Sequence, residues 1–277
     1  MNIVKKIGCA LIAALISTPV FSGNILLTQF EYTGYTDMKA NLEAVGHTVT
    51  IVDATTGGNL AASLTSGSYD SLFLWDLSGS SYLNQADRNA VQTFYGAHNS
   101  VVMDSRSYGY HFQPNNASEV ALIQNVAAAF DSFSGGIWFG TDHNPDWTKN
   151  VNPILAQLGF DLITGSHGNP VNDVDPASIL LTGVTTTDLW AAGQTVGHVS
   201  LGIQPNGVDM RYHFGHSSAA SGAIPYISAN FGDYIAPDED PADHNPNDPS
   251  DVPEPATLAL FGLGLLGFGW KRRTTKS

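Results

Sequence analysis

The sequence predicts an α/β protein with a mostly parallel sheet, helices on both faces of that sheet, and a late β-hairpin. Two observations lead to this class. Apolar segments of strand length alternate with helical segments from residue 24 to about residue 170. Most of these apolar segments are continuous, and they do not alternate with polar residues as half-exposed strands do. Continuous apolar strands are typical of parallel sheets that helices cover on both sides.

Five segments have the composition of buried strands. They are rich in aliphatic and aromatic residues, and most are followed by an acidic residue or a short polar loop. The carboxyl ends of parallel strands meet at one edge of an open sheet, and ligands of such sheets bind beyond that edge. The predicted strands are residues 24–30, 48–52, 71–75, 100–103 and 135–140.

Helical segments lie between and after these strands. Asn84, followed three residues later by Asp87, is the pattern of a capped helix start. Ser118 is predicted to cap the helix over residues 118–130 in the same way. The predicted helices are residues 36–45, 60–64, 84–97, 118–130 and 147–158, with a short one near residues 187–192.

Residues 197–203 and 207–214 predict two strands of a hairpin that is joined at residues 204–206. This part of the chain carries three histidines, His198, His213 and His216. His213 and His216 are three residues apart, so they would face opposite sides of a strand. We expect these histidines to be polar strand residues that face solvent. A zinc site would need a further ligand at a defined spacing.

The body of the chain is strongly acidic. Residues 23–252 contain five basic and 24 acidic residues, because the other Lys and Arg residues lie near the two ends. A surface of this charge repels nucleic acid and anionic lipid headgroups, so we expect no nucleic-acid partner. It suits cation binding, or solubility outside the cell.

Residues 1–22 are typical of a secretory signal peptide. Residues 1–6 carry two lysines, residues 7–16 are apolar, and the small residues Ser22 and Gly23 flank the predicted cleavage point after Ser22. The expected partners are the Sec translocon and signal peptidase. The chain's single cysteine, Cys9, lies in this segment, so the mature protein would have no disulfide and no thiol nucleophile.

Residues 236–251 predict an extended linker, because Pro, Asp and Asn dominate them. The α/β body is therefore assigned to residues 23–235. A plain spacer without a cofactor is the prediction, and calcium is the alternative, although the ligand spacing of an EF-hand is missing. The oxygen donors that favour calcium are Asp238, Asp240, Asp243, Asn247, Asp248 and Asp251.

Residues 252–277 combine three features in a fixed order. Pro253, Glu254 and Pro255 come first, the apolar segment 256–270 follows, and a basic cluster then completes the pattern. As a helix the apolar segment would span about 22 Å, which is short for a hydrocarbon core of about 30 Å. The basic cluster would stay on the cytoplasmic side. It consists of Lys271, Arg272 and Arg273.

This arrangement resembles the PEP-CTERM sorting signal of Gram-negative bacteria. The resemblance implies recognition by an exosortase, which is a membrane transpeptidase-like cysteine enzyme, and cleavage near the Pro-Glu-Pro triplet. It also implies transient anchoring in the inner membrane by the C-terminal segment. The released protein would then reach the cell surface or the exopolysaccharide matrix, which makes exopolysaccharide a candidate partner.

Residues 83–103, 140–160 and 176–184 resemble class I glutamine amidotransferase-like domains, in particular the trehalose-utilisation-like proteins. The resemblance implies a flavodoxin-like sheet whose fourth-strand elbow would carry a Cys nucleophile. Here residues 104–109 read DSRSYG, and the chain has no His-x-Glu pair. The glutaminase chemistry is therefore not carried over. Whether the chain is an enzyme stays open, and a non-catalytic role is favoured.

A serine hydrolase site is the alternative. Ser105 or Ser107 would be the nucleophile, His143 the base, and Asp76 or Asp142 the acid that orients it. The nucleophile pattern Gly-x-Ser-x-Gly is missing, so the sequence does not determine the geometry.

Asp142, His143 and Asp146 are the best metal-ligand candidates, because they follow a strand end closely. The sequence therefore leaves three functions open. The first is an exported, non-catalytic protein that binds a carbohydrate or a partner. The second is a secreted hydrolase that acts on polysaccharide or peptide, and the third is a calcium-dependent adhesion module.

Overall fold

The computed structural model describes residues 22–30, 35–75, 77, 82–106, 116–133, 135–168, 171–189, 196–216 and 224–232. The chain divides into two units, residues 1–234 and 235–277, and every described residue lies in the first. The described part contains five α-helices and eleven strands.

Five parallel strands form one side of a nine-stranded sheet, in the order β2-β1-β3-β4-β5. The predicted mixed α/β class with a large sheet is therefore confirmed. Their bounds are β1 (Asn24–Gln29), β2 (Thr48–Asp53), β3 (Ser71–Trp75), β4 (Ser100–Asp104) and β5 (Ile137–Gly140).

Antiparallel strands extend this sheet beyond β5. Strand β11 (Ile224–Ala229) pairs with β5, and β10 (Asp209–His216) pairs with β11. Both β7 (Val171–Val174) and the two-residue β9 (Gly202–Ile203) pair with β10.

The predicted late hairpin is only partly correct. Its second strand is β10, but β9 alone supplies the first. Strand β8 (Val196–His198) instead pairs with β6 (Thr164–His167) in a separate two-stranded sheet. The buried Val199 donates its backbone N–H to the carbonyl of Pro225 at 3.1 Å, and this bond takes the chain out of the predicted strand.

Helices cover both faces of the parallel strands. Helices α1 (Tyr35–Ala44) and α4 (Ala117–Ser132) pack on one face, and α2 (Asn59–Ser66), α3 (Gln85–Gly96) and α5 (Val151–Leu158) pack on the other. Alternate residues of each strand enter two separate apolar clusters. On β3, Phe73 and Trp75 face the α1 and α4 side, whereas Leu72 and Leu74 face the α3 and α5 side.

The start of α3 agrees with the sequence pattern. Asn84 and Asp87 form a reciprocal capping box in which each side chain accepts the other residue's backbone N–H. The buried Asp87 carboxylate also accepts the N–H groups of Gly58 and Ala61, at 2.8 Å and 3.0 Å. It therefore ties the first turn of α2 to that of α3.

The predicted cap of α4 is wrong. Asn116 is the N-cap, and its side-chain oxygen accepts the N–H groups of Ser118 at 2.9 Å and Glu119 at 3.2 Å. The Ser118 hydroxyl instead contacts a loop: it accepts the N–H of Thr185 at 2.8 Å and donates to the Asp188 carboxylate at 3.3 Å.

Two predicted helices are shorter in the structure. Helix α5 begins at Val151 and not at residue 147, because residues 144–147 form a turn that the Asn144 side chain stabilises by accepting the Thr148 hydroxyl. The helix predicted near residues 187–192 is a 3₁₀ turn at Thr186–Asp188, and residues 190–195 lie outside the described ones.

Candidate functional site

The candidate site lies at the carboxyl edge of β4 and β5. The two strands pair in register up to Asp104 and Gly140, so the residues that follow each strand become neighbours. These are Ser105 and Arg106 after β4, and residues 141–143 after β5. Several predicted residues lie outside the described ones: Asp76, Ser107, the six linker oxygen donors, Pro253, Glu254, Pro255, Lys271, Arg272 and Arg273.

A buried ion cluster dominates this edge. The Arg106 side chain donates to Asp104 from Nε at 3.1 Å and from Nη2 at 3.0 Å. It also donates to the Glu119 carboxylate at 3.3 Å from Nη1 and at 3.2 Å from Nη2. All three side chains are almost completely buried. The Arg106 guanidinium thus binds two carboxylates at once, and all three of its nitrogen atoms donate hydrogen bonds.

Aromatic rings enclose the guanidinium. The Arg106 Cζ atom lies 5.2 Å from the ring centroid of Trp138 and 5.9 Å from that of Tyr226, within range for cation–π attraction. Glycine at position 140 leaves room for these side chains, since a Cβ atom there would lie 2.6 Å from Trp138 and 2.7 Å from Arg106 Nε. The sequence therefore allows the arginine to pack directly against the end of β5.

Burial and charge act against each other in this cluster. Burial works to lower the pKa of Arg106, but the carboxylates of Asp104 and Glu119 raise it above its ordinary value, so the arginine stays charged. Burial raises the pKa of Glu119 to about 7, although Arg106 partly opposes that shift. Burial also raises the pKa of Tyr226 well above its ordinary value. Glu119 is therefore a member of the cluster that changes charge near neutral pH.

The contacts of Ser105 stabilise the fold at the ends of β4 and β5. Its side chain is fully buried, and its hydroxyl donates to the Gly140 carbonyl at 3.2 Å. The same oxygen accepts the backbone N–H of Asp142 at 3.0 Å. The hydrogen bonds described for Ser105 do not include one to His143. Its hydroxyl fastens the loop after β5 to the end of β4.

Asp142 and His143 form a dyad. The Asp142 carboxylate lies 2.7 Å from His143 Nδ1 and also accepts the backbone N–H of His143 at 2.6 Å. The Asp142 side chain is 7% exposed and the imidazole 25%. Burial raises the pKa of Asp142, while its hydrogen bonds from His143 lower it. With Nδ1 oriented by a carboxylate, Nε2 becomes the basic nitrogen, as in an acid–base dyad.

The metal-ligand candidates are only partly together. Asp142 and His143 are in contact, whereas Asp146 is exposed in the turn that follows. Within the described ranges, no group of three or more His, Cys, Asp or Glu side chains is placed to hold a metal ion.

The structure contains a Ser–His contact that the sequence did not indicate. The Ser178 hydroxyl lies 2.7 Å from Nδ1 of His213, and both residues are buried. The expectation that His213 and His216 face solvent is wrong, since both are 0% exposed. The register of β10 shifts at residues 212–215, so a simple alternation of faces does not hold there. No spacing signal links Ser178 to His213.

Comparison with known proteins identifies the C-terminal segment. The PEP-CTERM protein-sorting motif matches residues 251–273, which confirms the interpretation of the tail. This motif indicates an exported protein that an exosortase sorts. No curated protein and no solved structure matches the chain.

Among the residues that the structure describes, no helix combines the length and the apolar character needed to cross a bilayer.

Proposed function

We propose that this protein acts at the cell surface or in the exopolysaccharide matrix, and that its α/β body has a non-catalytic binding or structural role. The observation that carries the proposal is the environment of Ser105. Its buried hydroxyl is bonded to the Gly140 carbonyl and to the Asp142 N–H. A serine nucleophile must instead be open to substrate and bonded to a base.

The neighbouring ion cluster supports the same role. Asp104, Arg106 and Glu119 satisfy one another, and the cluster is shielded by aromatic rings. An arginine that stabilises a developing negative charge during catalysis needs a free face toward the substrate. Here the guanidinium is committed to two carboxylates, so the cluster joins β4 to α4.

We also propose a flavodoxin-like sheet and the domain boundaries deduced from the sequence. The strand order β2-β1-β3-β4-β5 supports the first, because it is the order of that class. A signal peptide over residues 1–22 and a spacer over residues 236–251 complete the proposed organisation, with calcium in the spacer as its alternative.

The sorting step is tested by cell fractionation and by mass spectrometry of the mature C-terminus. We expect cleavage near residues 253–255 in the wild-type cell and accumulation of the uncleaved chain in an exosortase deletion strain. A Glu254→Ala variant should behave as the deletion does, and a Glu239→Ala variant in the linker serves as its control. Identical processing in both strains would contradict the proposal.

A secreted hydrolase is the second candidate, and the Asp142–His143 dyad is the observation that favours it. The body, assayed on polysaccharide and peptide substrates, is expected to show no turnover. Turnover that His143→Asn abolishes would establish the hydrolase instead. An Asp161→Asn variant, which changes an exposed acid, is the control.

Binding is tested with the same protein on a glycan array, with and without calcium. Retention on glycans in the absence of calcium would support the binding role. Retention that requires calcium would identify the adhesion module, and the absence of retention would leave a structural role.

A further inference from the structure

A cleft lies at the edge of the sheet opposite the candidate site, where β1, β3 and β4 begin. It has a volume of about 310 Å³. Asp70, His98 and Asp131 line it, together with Ser22 and Gly23, which are the two residues that flank the predicted signal-peptide cleavage point. The residues on both sides of the predicted cleavage point therefore line this cleft.

Hydrogen bonds hold the chain in place at Gly23. Its backbone N–H donates to Nδ1 of His47 at 3.3 Å, and its carbonyl accepts the N–H of Thr48 at 3.0 Å. The next residue, Asn24, donates its N–H to the Asp70 carboxylate at 2.7 Å. The first strand therefore begins at a defined position.

Two carboxylates converge on the same point. A methyl group placed on the Cα atom of Gly23 would lie 3.4 Å from Asp131 Oδ1 and 3.8 Å from Asp70 Oδ2. None of the described residues that line the cleft is a lysine or an arginine. Two histidines are close to these carboxylates: His98 lines the cleft, and Nε2 of His47 lies 4.0 Å from Asp131. A positive charge at Gly23 would complete this arrangement.

We propose that the cleft binds the amino terminus that signal-peptide removal creates. Hydrolysis of the Ser22–Gly23 peptide bond leaves a carboxylate on Ser22 and a protonated amine on Gly23. The backbone N–H offers one hydrogen and no charge, whereas the ammonium group offers three hydrogens and one positive charge. One hydrogen keeps the bond to His47, and the others are available to the carboxylates of Asp131 and Asp70.

Two further observations support this assignment. Burial raises the pKa of Asp131, His47 partly opposes that shift, and the nearby Asp70 carboxylate adds to it, so a cation in the cleft would relieve the repulsion between the two carboxylates. Every described helix and strand begins at Asn24 or later, so removal of residues 1–22 deletes none of them. The proposal rests on export through a cleaved leader. It does not depend on whether the body is catalytic.

The test compares three forms of the chain that starts at Gly23, each prepared by a protease that leaves the chosen first residue. The first has a free amine, the second is N-acetylated, and the third carries two extra residues. We expect the acetylated and extended forms to melt about 2–4 °C lower, the shift for one partly buried ion pair in a domain of this size. Equal melting temperatures for all three forms would overturn the proposal.

Asp131→Asn should remove most of the difference between the free and acetylated forms, while the surface control Asp161→Asn should keep it. If the free and acetylated forms differ in melting temperature by the same amount in both variants, the proposal is also overturned. If Asp131→Asn does not fold, a second measurement takes its place: the pKa of the Gly23 amine, obtained from the pH dependence of its labelling rate. The pKa of this amine is expected above the ordinary range of about 7.7–8.0, and an ordinary value would contradict the ion pair.

A separate measurement keeps this proposal distinct from the sorting proposal. Mass spectrometry of the exported protein should find Gly23 as the first residue. Another first residue would overturn the maturation step, while cleavage near residues 253–255 would be unaffected by that result.

Discussion

Replacement of Glu119 by Gln is expected to remove a pH dependence of stability that the buried ion cluster creates. Glu119 lies in the first turn of α4, is 1% exposed, and accepts hydrogen bonds from the guanidinium of Arg106. Burial raises its pKa from the ordinary 4.5 to about 7. The folded protein therefore holds a proton on Glu119 that the unfolded chain releases between these two pH values.

The sign and the magnitude follow from this difference. Because the folded state binds more protons between pH 4.5 and 7, the free energy of unfolding falls as the pH rises through that window. The contribution of Glu119 is fully present below pH 4.5 and lost above about pH 7. At 1.36 kcal/mol for each pH unit, the fall amounts to about 3 kcal/mol.

The assay is urea denaturation at several pH values between 4.5 and 7.5, for the wild type and for Glu119→Gln. Asp142 and Asp131 also have raised pKa values and contribute to the pH dependence of both proteins. The readout is therefore the difference between the two proteins in the slope of the free energy of unfolding against pH. Glu43→Gln, at an exposed i, i+4 pair with Lys39, should keep the wild-type slope. An unchanged slope in Glu119→Gln would refute the reasoning.

Three further substitutions test single contacts by urea denaturation. Asp87→Asn removes a charged acceptor of three backbone N–H groups and should cost about 1.5–3 kcal/mol, so an unchanged stability would contradict its role. Asn116→Ala should cost about 1 kcal/mol through the lost cap of α4, whereas a neutral effect would show that the cap is dispensable. Gly140→Ala should cost about 1–3 kcal/mol, because its methyl group would press on Trp138 and Arg106, and a fully stable variant would show that both side chains can move.

Features that depend on neighbouring residues could be predicted from the sequence. The alternation of strands and helices can be read from apolar periodicity, because a strand of a covered parallel sheet must be apolar on both faces. The N-cap role of Asn84 can be predicted for a similar reason, because Asp87 lies three residues later in the same helical turn. The C-terminal sorting motif is likewise a local pattern.

The local rules failed where a distant contact competed with them. Ser118 has the chemistry of an N-cap, but its hydroxyl bonds to residues 185 and 188 instead. Residues 196–198 have strand character, yet their partner is β6 and not β10. In both cases the sequence predicted a bonding capacity correctly and gave no information on the partner.

The candidate site depends on contacts between distant parts of the chain, which local sequence patterns do not predict. Glu119 meets Arg106 because α4 packs on the sheet beside the end of β4, and Ser178 meets His213 across 35 positions of sequence. Whether a serine or a histidine is exposed also depends on sheet order and strand register, as the burial of Ser105 and His213 shows. Periodicity and capping act within a few residues, whereas burial and ion pairing depend on which elements pack together.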